Sequence, residues 1–244
     1  MRSCAKQIFT LRNIIEQCTE FQQPLSINFV DFKKAFDSVH RESLWNIAML
    51  YGIPEHYVNI FRMSCLNSHC CARTDTSFTE MFDIITGVCQ GCILLPFLFL
   101  LVIDFIMQRA MNGPNMGIKW TDSSRLADLD FLDGLSLLAE TRDILQEMTT
   151  NLETEAEKVG LKISAEKTKV MQIGGGRAPH PITVGQKNVD DVECFTYLGS
   201  VMTEDGGAEA DVNCRVGKQP QYPALATDMD ILCGQHCYKD MAVQ

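Results

Sequence analysis

The run Ile93 to Met107 (ILLPFLFLLVIDFIM) constrains the fold more than any other stretch. It is shorter than the roughly 20 residues that span a bilayer, and Pro96 and Asp104 interrupt it. A helix apolar nearly all round belongs in a protein interior, so the chain must supply enough mass to cover it. With 244 residues, 46% of them hydrophobic, it does so as one large domain or two small ones. Pro96 suits the first turn of this buried helix.

The surrounding pattern mixes helices and short strands. Residues 3–20 place Ile8, Leu11, Ile15 and Cys18 at helical spacing. After a turn at Gln22-Gln23-Pro24, Leu25 to Asp31 (LSINFVD) alternates apolar and polar residues, which predicts a strand ending in a carboxylate. A helix is predicted over 41–51, stopped by Gly52 and Pro54, and another reaches about Leu66. Residues 69–85 read as a hairpin. Gly87 to Gly91 (GVCQG) reads as a loop whose glycines let backbone approach something closely. Residues 125–138 (RLADLDFLDGLSLL) form another hairpin, and Thr141 caps a helix with Leu145, Met148, Leu152 and Ala156 on one face, stopped by Gly160. Short strands follow Lys169, and periodicity fades from Lys218 onward. The expected class is α+β, an antiparallel sheet with helices packed on one face.

Charge and cysteine content narrow the possible roles. The net charge is −10, with ten basic and ten acidic residues over 1–120 but eleven against twenty-one over 121–244. Such a chain attracts phosphates poorly through its bulk field, so a nucleic-acid role must come from local sites. The N-terminus (MRSCAKQIFTLR) lacks the apolar stretch of a signal peptide, so an intracellular protein of cytoplasm or nucleus is expected, without a membrane partner. Eleven cysteines then read as reduced thiols. Cys89-x-x-Cys92 and the group Cys233, His236 and Cys237 lack a properly spaced second pair for zinc. No dinucleotide fingerprint or Walker motif is present, which argues against a small-molecule-binding α/β protein.

Two carboxylates occupy informative places, Asp31 at a strand end and Asp133 in a hairpin. Asp133-Gly134 is a favoured turn pair, and turn aspartates are common for structural reasons alone. Adjacent strands could also bring Asp31 and Asp133 together as oxygen ligands for hard divalent cations. Spacing leaves both readings open.

Five stretches in order resemble the palm motifs of reverse transcriptases, those of non-LTR retrotransposons above all. They are FVDFKKAFDSVHR (Phe29 to Arg41), GVCQGCILLP from Gly87, FLDG from Phe131, GLKISAEKTK (Gly160 to Lys169) and FTYLGS (Phe195 to Ser200). The resemblance runs from about residue 1 to about residue 218. It implies a reverse-transcriptase palm, with fingers and thumb largely missing and no endonuclease domain. The implied division is a palm-like domain over 1–173, a strand-rich extension over 174–217 that resembles the primer-grip region, and an irregular tail over 218–244.

The implied activity is RNA-directed DNA synthesis, with an RNA template, a DNA primer, deoxynucleoside triphosphates and two Mg²⁺ or Mn²⁺ ions. By the same resemblance Asp31 and Asp133 are the metal ligands, with the Phe32 carbonyl a further candidate. Phe36 lies under the incoming sugar, although an apolar residue there also suits a core. Gln90 and Gly91 line the nucleotide pocket, Lys167 meets the triphosphate and acts as general acid, and Asp37 supports the fold. Departures are specific. Gly134 stands where a second turn aspartate is expected, Cys89 where arginine is usual, and Leu95 where serine is. Impaired catalysis is therefore expected, and the alternative is an inactive palm remnant of a decayed element.

Overall fold

The computed structural model describes residues 4–66, 69–73, 77–88, 94–121, 124–131, 134–174 and 180–217. The chain opens with α1 (Cys4–Glu20) and β1 (Leu25–Val30). Three helices follow, α2 (Ala35–Ser38), α3 (Arg41–Leu50) and α4 (Glu55–Cys65), then the short strands β2 (His69–Cys70) and β3 (Phe82–Asp83). The apolar run forms α5 (Leu94–Ala110). Beyond it come β4 (Ile118–Lys119), β5 (Arg125–Leu126), β6 (Asp128–Phe131) and β7 (Gly134–Ala139), then α6 (Arg142–Lys158) and β8 (Lys169–Ile173). The remaining elements are β9 (Thr183–Val184), β10 (Lys187–Asn188), β11 (Asp190–Asp191), β12 (Cys194–Tyr197), β13 (Ser200–Thr203) and α7 (Glu209–Gly217).

The architecture is an α+β palm built on a five-stranded sheet, ordered β11-β8-β1-β7-β6. Strand β1 is central and pairs antiparallel with β7 and β8, while β11 joins the edge parallel to β8. Every residue of β1 is buried. Helices were expected on one face of the sheet, but both faces are covered. Leu25, Ile27 and Phe29 pack with α1 and with β12 and β13, whereas Val30, Leu135 and Leu137 join a larger core with α3, α5 and α6. On that side Asn28 is fully buried, and its Nδ2 donates to Thr149 Oγ1 of α6 at 2.9 Å. The polar residues of the alternation mark a helix–sheet contact rather than a wet face.

Local chemistry sets the ends of the elements. Thr141 Oγ1 accepts from the Ile144 amide at the start of α6, the predicted N-cap. Gly87, at φ 77°, sits where an added Cβ would lie 2.6 Å from Asp37 Cα and from the Phe36 carbonyl. The close approach expected of this loop is thus made to the turn after β1. The hairpin expected over 69–85 pairs antiparallel through β2 and β3, and again nearer its tip through a bridge between Arg73 and Phe78.

Arg142 closes the sheet edge. Its Nη2 donates to both oxygens of Asp191 at 2.7 Å and its Nε to the His180 carbonyl at 2.6 Å, with the side chain 7% exposed. Arg142→Ala leaves a shielded carboxylate and a carbonyl without their donor, and is expected to cost about 3 kcal/mol in urea unfolding.

Candidate active site

Strand β1 delivers Asp31 to the end of the sheet where β6 turns into β7. The register pairs Val30 with Leu135, and Phe131 with Gly134, so one step further along β1 brings Asp31 beside Gly134. Gly134 is therefore the first residue of β7 rather than part of the turn itself, a correction to the turn pair read from Asp133-Gly134. Asp133, Gln90 and Gly91 lie outside the described residues, as do Cys89, Cys92 and the group at 233–237.

The backbone around Asp31 is held on one side by the segment before β8. The Asp31 amide donates to Thr168 Oγ1 at 3.2 Å, its carbonyl accepts from the Ser164 amide at 2.8 Å, and the Lys33 amide donates to the Lys162 carbonyl at 2.8 Å. These bonds flank the antiparallel bridge between Phe32 and Ile163. In such a non-hydrogen-bonded pair the N–H and C=O of the central residue point away from the partner. The Phe32 carbonyl therefore faces the side of β1 on which β7 lies, while the Phe32 ring is buried at 5% exposure.

The carboxylate is only partly satisfied. The Asp31 side chain is 45% exposed, yet its Oδ1 is shielded and has no hydrogen-bond donor among the described residues. Lys167 Nζ stands 3.7 Å from that oxygen on a side chain 69% exposed. An open ion pair of this length contributes little to stability. Its geometry leaves one carboxylate oxygen available to a cation.

Phe36 is half-buried and tilts against Phe99 of α5, with ring centroids 4.4 Å apart. Its carbonyl accepts from the Val88 amide at 2.7 Å, and the Asp37 carbonyl accepts from Thr86 Oγ1 at 2.9 Å. The turn after Asp31 and the chain leading toward Gln90 thus form one hydrogen-bonded unit. Asp31, Phe32 and Lys167 come together directly, and Phe36 is tied to the loop entry.

Residues given no role on sequence grounds also shape the site. Thr168 and Ser164 fix the Asp31 backbone, and the signal was their place in GLKISAEKTK. Arg41 joins two loops, its Nε donating to the Gly87 carbonyl at 3.0 Å and its Nη1 to the Cys65 carbonyl at 2.9 Å.

The hairpin of β12 and β13 packs beneath the sheet. Phe195 stacks on Phe29 at 4.3 Å, and the Tyr197 hydroxyl donates to the Leu129 carbonyl at 3.2 Å. Burial pushes the Tyr197 phenol up to about 12, so it remains a donor. Leu198 and Gly199 at its tip both have positive φ, 49° and 83°, as a type I′ turn requires. Asp211 of α7 holds the hairpin from behind. Its Oδ1 accepts from the Val201 amide at 2.9 Å and its Oδ2 from Ser200 Oγ at 3.1 Å, beside Arg12 at 3.0 Å and Arg215 at 3.1 Å.

These donors, led by the Val201 amide, hold the Asp211 carboxyl below the usual carboxylate range. A depressed folded value contributes stability that is complete above about pH 4 and is lost as pH falls through the lower folded value. Asp211→Asn is accordingly expected to shrink the acid-induced loss of stability below about pH 4, read by urea unfolding across that range.

Among the described residues no group of three or more His, Cys, Asp or Glu side chains could by itself hold a metal ion. A hard-cation site here would draw on Asp31 with a ligand from outside them. No helix among the described residues is long and apolar enough to cross a membrane.

A central antiparallel sheet, a carboxylate at the end of its middle strand and a lysine facing that carboxylate define a polymerase-like palm. The family described as reverse transcriptase (RNA-dependent DNA polymerase) matches residues 1–202, and the chain belongs to it. Its relatives include the Retrovirus-related Pol polyprotein from the type-1 retrotransposable element R2 of Nasonia vitripennis, 28% identical over 78% of this chain and 19% of the relative. The corresponding polyprotein of Popillia japonica is 29% identical over 83% and 30%, and that of the type-2 element R2DM of Drosophila melanogaster 31% over 60% and 14%. The chain thus spans less than a third of these relatives. Among solved structures, telomerase from Candida tropicalis in complex with a TWJ fragment of telomeric RNA superposes with a TM-score of 0.59 at 14% identity, over 84% of this chain and 33% of that one. Apo telomerase from the same organism, truncated from the C-terminal domain, gives 0.56 at 16% identity, over 82% and 38%. The fold is shared with telomerase, and the family is that of reverse transcriptases.

Proposed function

We propose that the chain forms the palm of an RNA-directed DNA polymerase, joining deoxynucleoside triphosphates to a DNA primer paired with an RNA template. The observation that carries this reading is the Asp31 carboxylate, with one shielded oxygen lacking a hydrogen-bond donor among the described residues, at the sheet end where Gly134 begins β7. A shielded carboxylate oxygen without a donor is costly unless a cation takes that place. The donor chemistry suits a hard divalent ion. Asp31, the Phe32 carbonyl and Asp133 would hold Mg²⁺ or Mn²⁺, two ions in the complete site. Bound there, the metal ions stabilise charge on the attacking and leaving oxygens.

The chain's own residues then have distinct tasks. The primer 3′-hydroxyl loses its proton to solvent as its oxygen bonds the α-phosphorus, the bond to pyrophosphate breaks, and Lys167 supplies a proton to the leaving pyrophosphate. Phe36, braced by Phe99, presents a wall against a 2′-hydroxyl. Gln90 and Gly91 line the pocket reached through the loop anchored on the Phe36 carbonyl. Residues 195–200 present the primer, held by Phe29, Arg12 and Asp211. In this assignment 1–173 is the palm, 174–217 the primer-grip extension and 218–244 a tail.

Gly134 favours a second reading, a palm that has lost catalysis. Extension of a primed RNA template with deoxynucleotides and Mg²⁺ separates the two. The chain alone, acidic overall, is expected to give negligible processive synthesis at about 150 mM salt. A chimera carrying it in place of the matching segment of the Popillia japonica relative is expected to extend slowly. A chimera that stays inactive even with Gly134→Asp would establish the second reading.

A further inference from the structure

Away from Asp31, the N-terminal end of α3, the C-terminal end of α4 and the chain before Gly87 enclose a cleft of about 500 Å³. Its lining includes His40, Arg41, Glu42, Arg62, Leu66 and Ile85. That volume lies within the roughly 300 to 1,000 Å³ typical of ligand sites.

Two guanidinium groups line it in different states. Arg41 is pinned at the mouth, and both of its recorded bonds go to backbone carbonyls, which leave its positive charge unneutralised. Arg62 has a shielded Nε with no hydrogen-bond partner among the described residues. Its Nη2 reaches Glu42 only at 3.5 Å, across a pair whose side chains are 40% and 77% exposed. A shielded guanidinium N–H without an acceptor, beside a second fixed guanidinium, calls for an anion with several oxygens, and phosphate fits that fork.

The rest of the lining says which phosphate. Leu66 is 61% exposed and Ile85 80%, so apolar surface lies open beside the charges. Phosphate-directed arginines beside open apolar surface suit a strand whose bases are unpaired and free to lie against it. In a chain of net charge −10 such attraction has to be local.

We propose that this cleft seats a phosphodiester unit of single-stranded nucleic acid, with Arg62 and Arg41 on the phosphate and a base against Leu66 and Ile85. Because Arg41 also holds the Gly87 carbonyl, an occupied cleft braces the loop that leads to Gln90. The proposal rests on the nucleic-acid reading of the fold, but its test requires neither metal, primer nor triphosphate. Failure here therefore leaves the extension experiment standing.

The test is fluorescence anisotropy of a labelled oligouridine RNA with the full chain across a salt series. Arg62→Gln is expected to weaken binding about tenfold and to lower the salt slope by about 0.7, the loss of one single-strand phosphate contact. Glu42→Gln, which removes the opposing carboxylate, is expected to tighten it; a purely structural role for the pair gives no tightening. Unchanged affinity in both variants overturns the proposal. So does displacement of the RNA by polyglutamate as effective as displacement by unlabelled RNA, which would identify an acidic-peptide site. Inorganic phosphate should compete only at far higher concentration, and competition at equal concentration would identify a free-anion site instead.

Discussion

Asp31→Asn is expected to reduce primer extension by the chimera more than about a hundredfold, because loss of an outer-shell partner of a metal ligand already costs roughly 10- to 100-fold. The substitution keeps the shape of the side chain. The Asp31 backbone bonds to Thr168 and Ser164 do not involve the carboxylate, so the sheet end is retained. Its ion pair to Lys167, at 3.7 Å, is open and contributes little to stability. Folding and catalysis should therefore separate, with a near-native thermal midpoint and extension almost gone. Extension at the native rate would remove Asp31 from the chemistry.

Gly134→Asp is expected to act in the opposite direction and to raise extension about tenfold or more. The register carries Asp31 alongside Gly134, so a side chain there adds a carboxylate next to the one present. Without metal, like charges on neighbouring strands repel, at a cost of about 0.2 to 1 kcal/mol. With a divalent ion bound to the folded state the same pair is stabilising, by an amount that grows with ion concentration. The variant should accordingly melt below the native chain in chelator and gain more from Mn²⁺ than the native chain does. A lower midpoint in both conditions, with extension unchanged, would mean that no ion bridges this end of the sheet.

Particular residues show how far the sequence reached. The apolar run predicted a buried helix, and α5 packs Phe99, Val102, Ile103 and Ile106 into the larger core. Thr141 and Gly160 marked the ends of α6 because caps are local chemistry. The alternation in LSINFVD marked the strand but not its surroundings, since alternation cannot tell a face open to water from one covered by α6, where Asn28 meets Thr149. The layer formed by α1 with β12 and β13 was hidden for a related reason. Its contacts, such as Phe29 on Phe195, join residues remote in sequence that no local periodicity connects.

The site was legible where a motif specified it. Asp31 and Lys167, distant in sequence, were both named from motifs, and they meet at 3.7 Å. Thr168 and Arg41 were not, because a hydroxyl or guanidinium that bonds backbone carries no distinctive spacing. Gly134 was named as the missing carboxylate but placed in the turn, and its pairing with Phe131 puts it at the start of β7.

Mn²⁺ binding by the chain itself, followed by electron paramagnetic resonance, tests the central claim most directly because it needs no primer, template or flanking sequence. Binding is expected in the native chain, lost in Asp31→Asn and Asp133→Asn, and strengthened in Gly134→Asp. Equal Mn²⁺ binding across all four proteins would contradict a metal site at the end of β1.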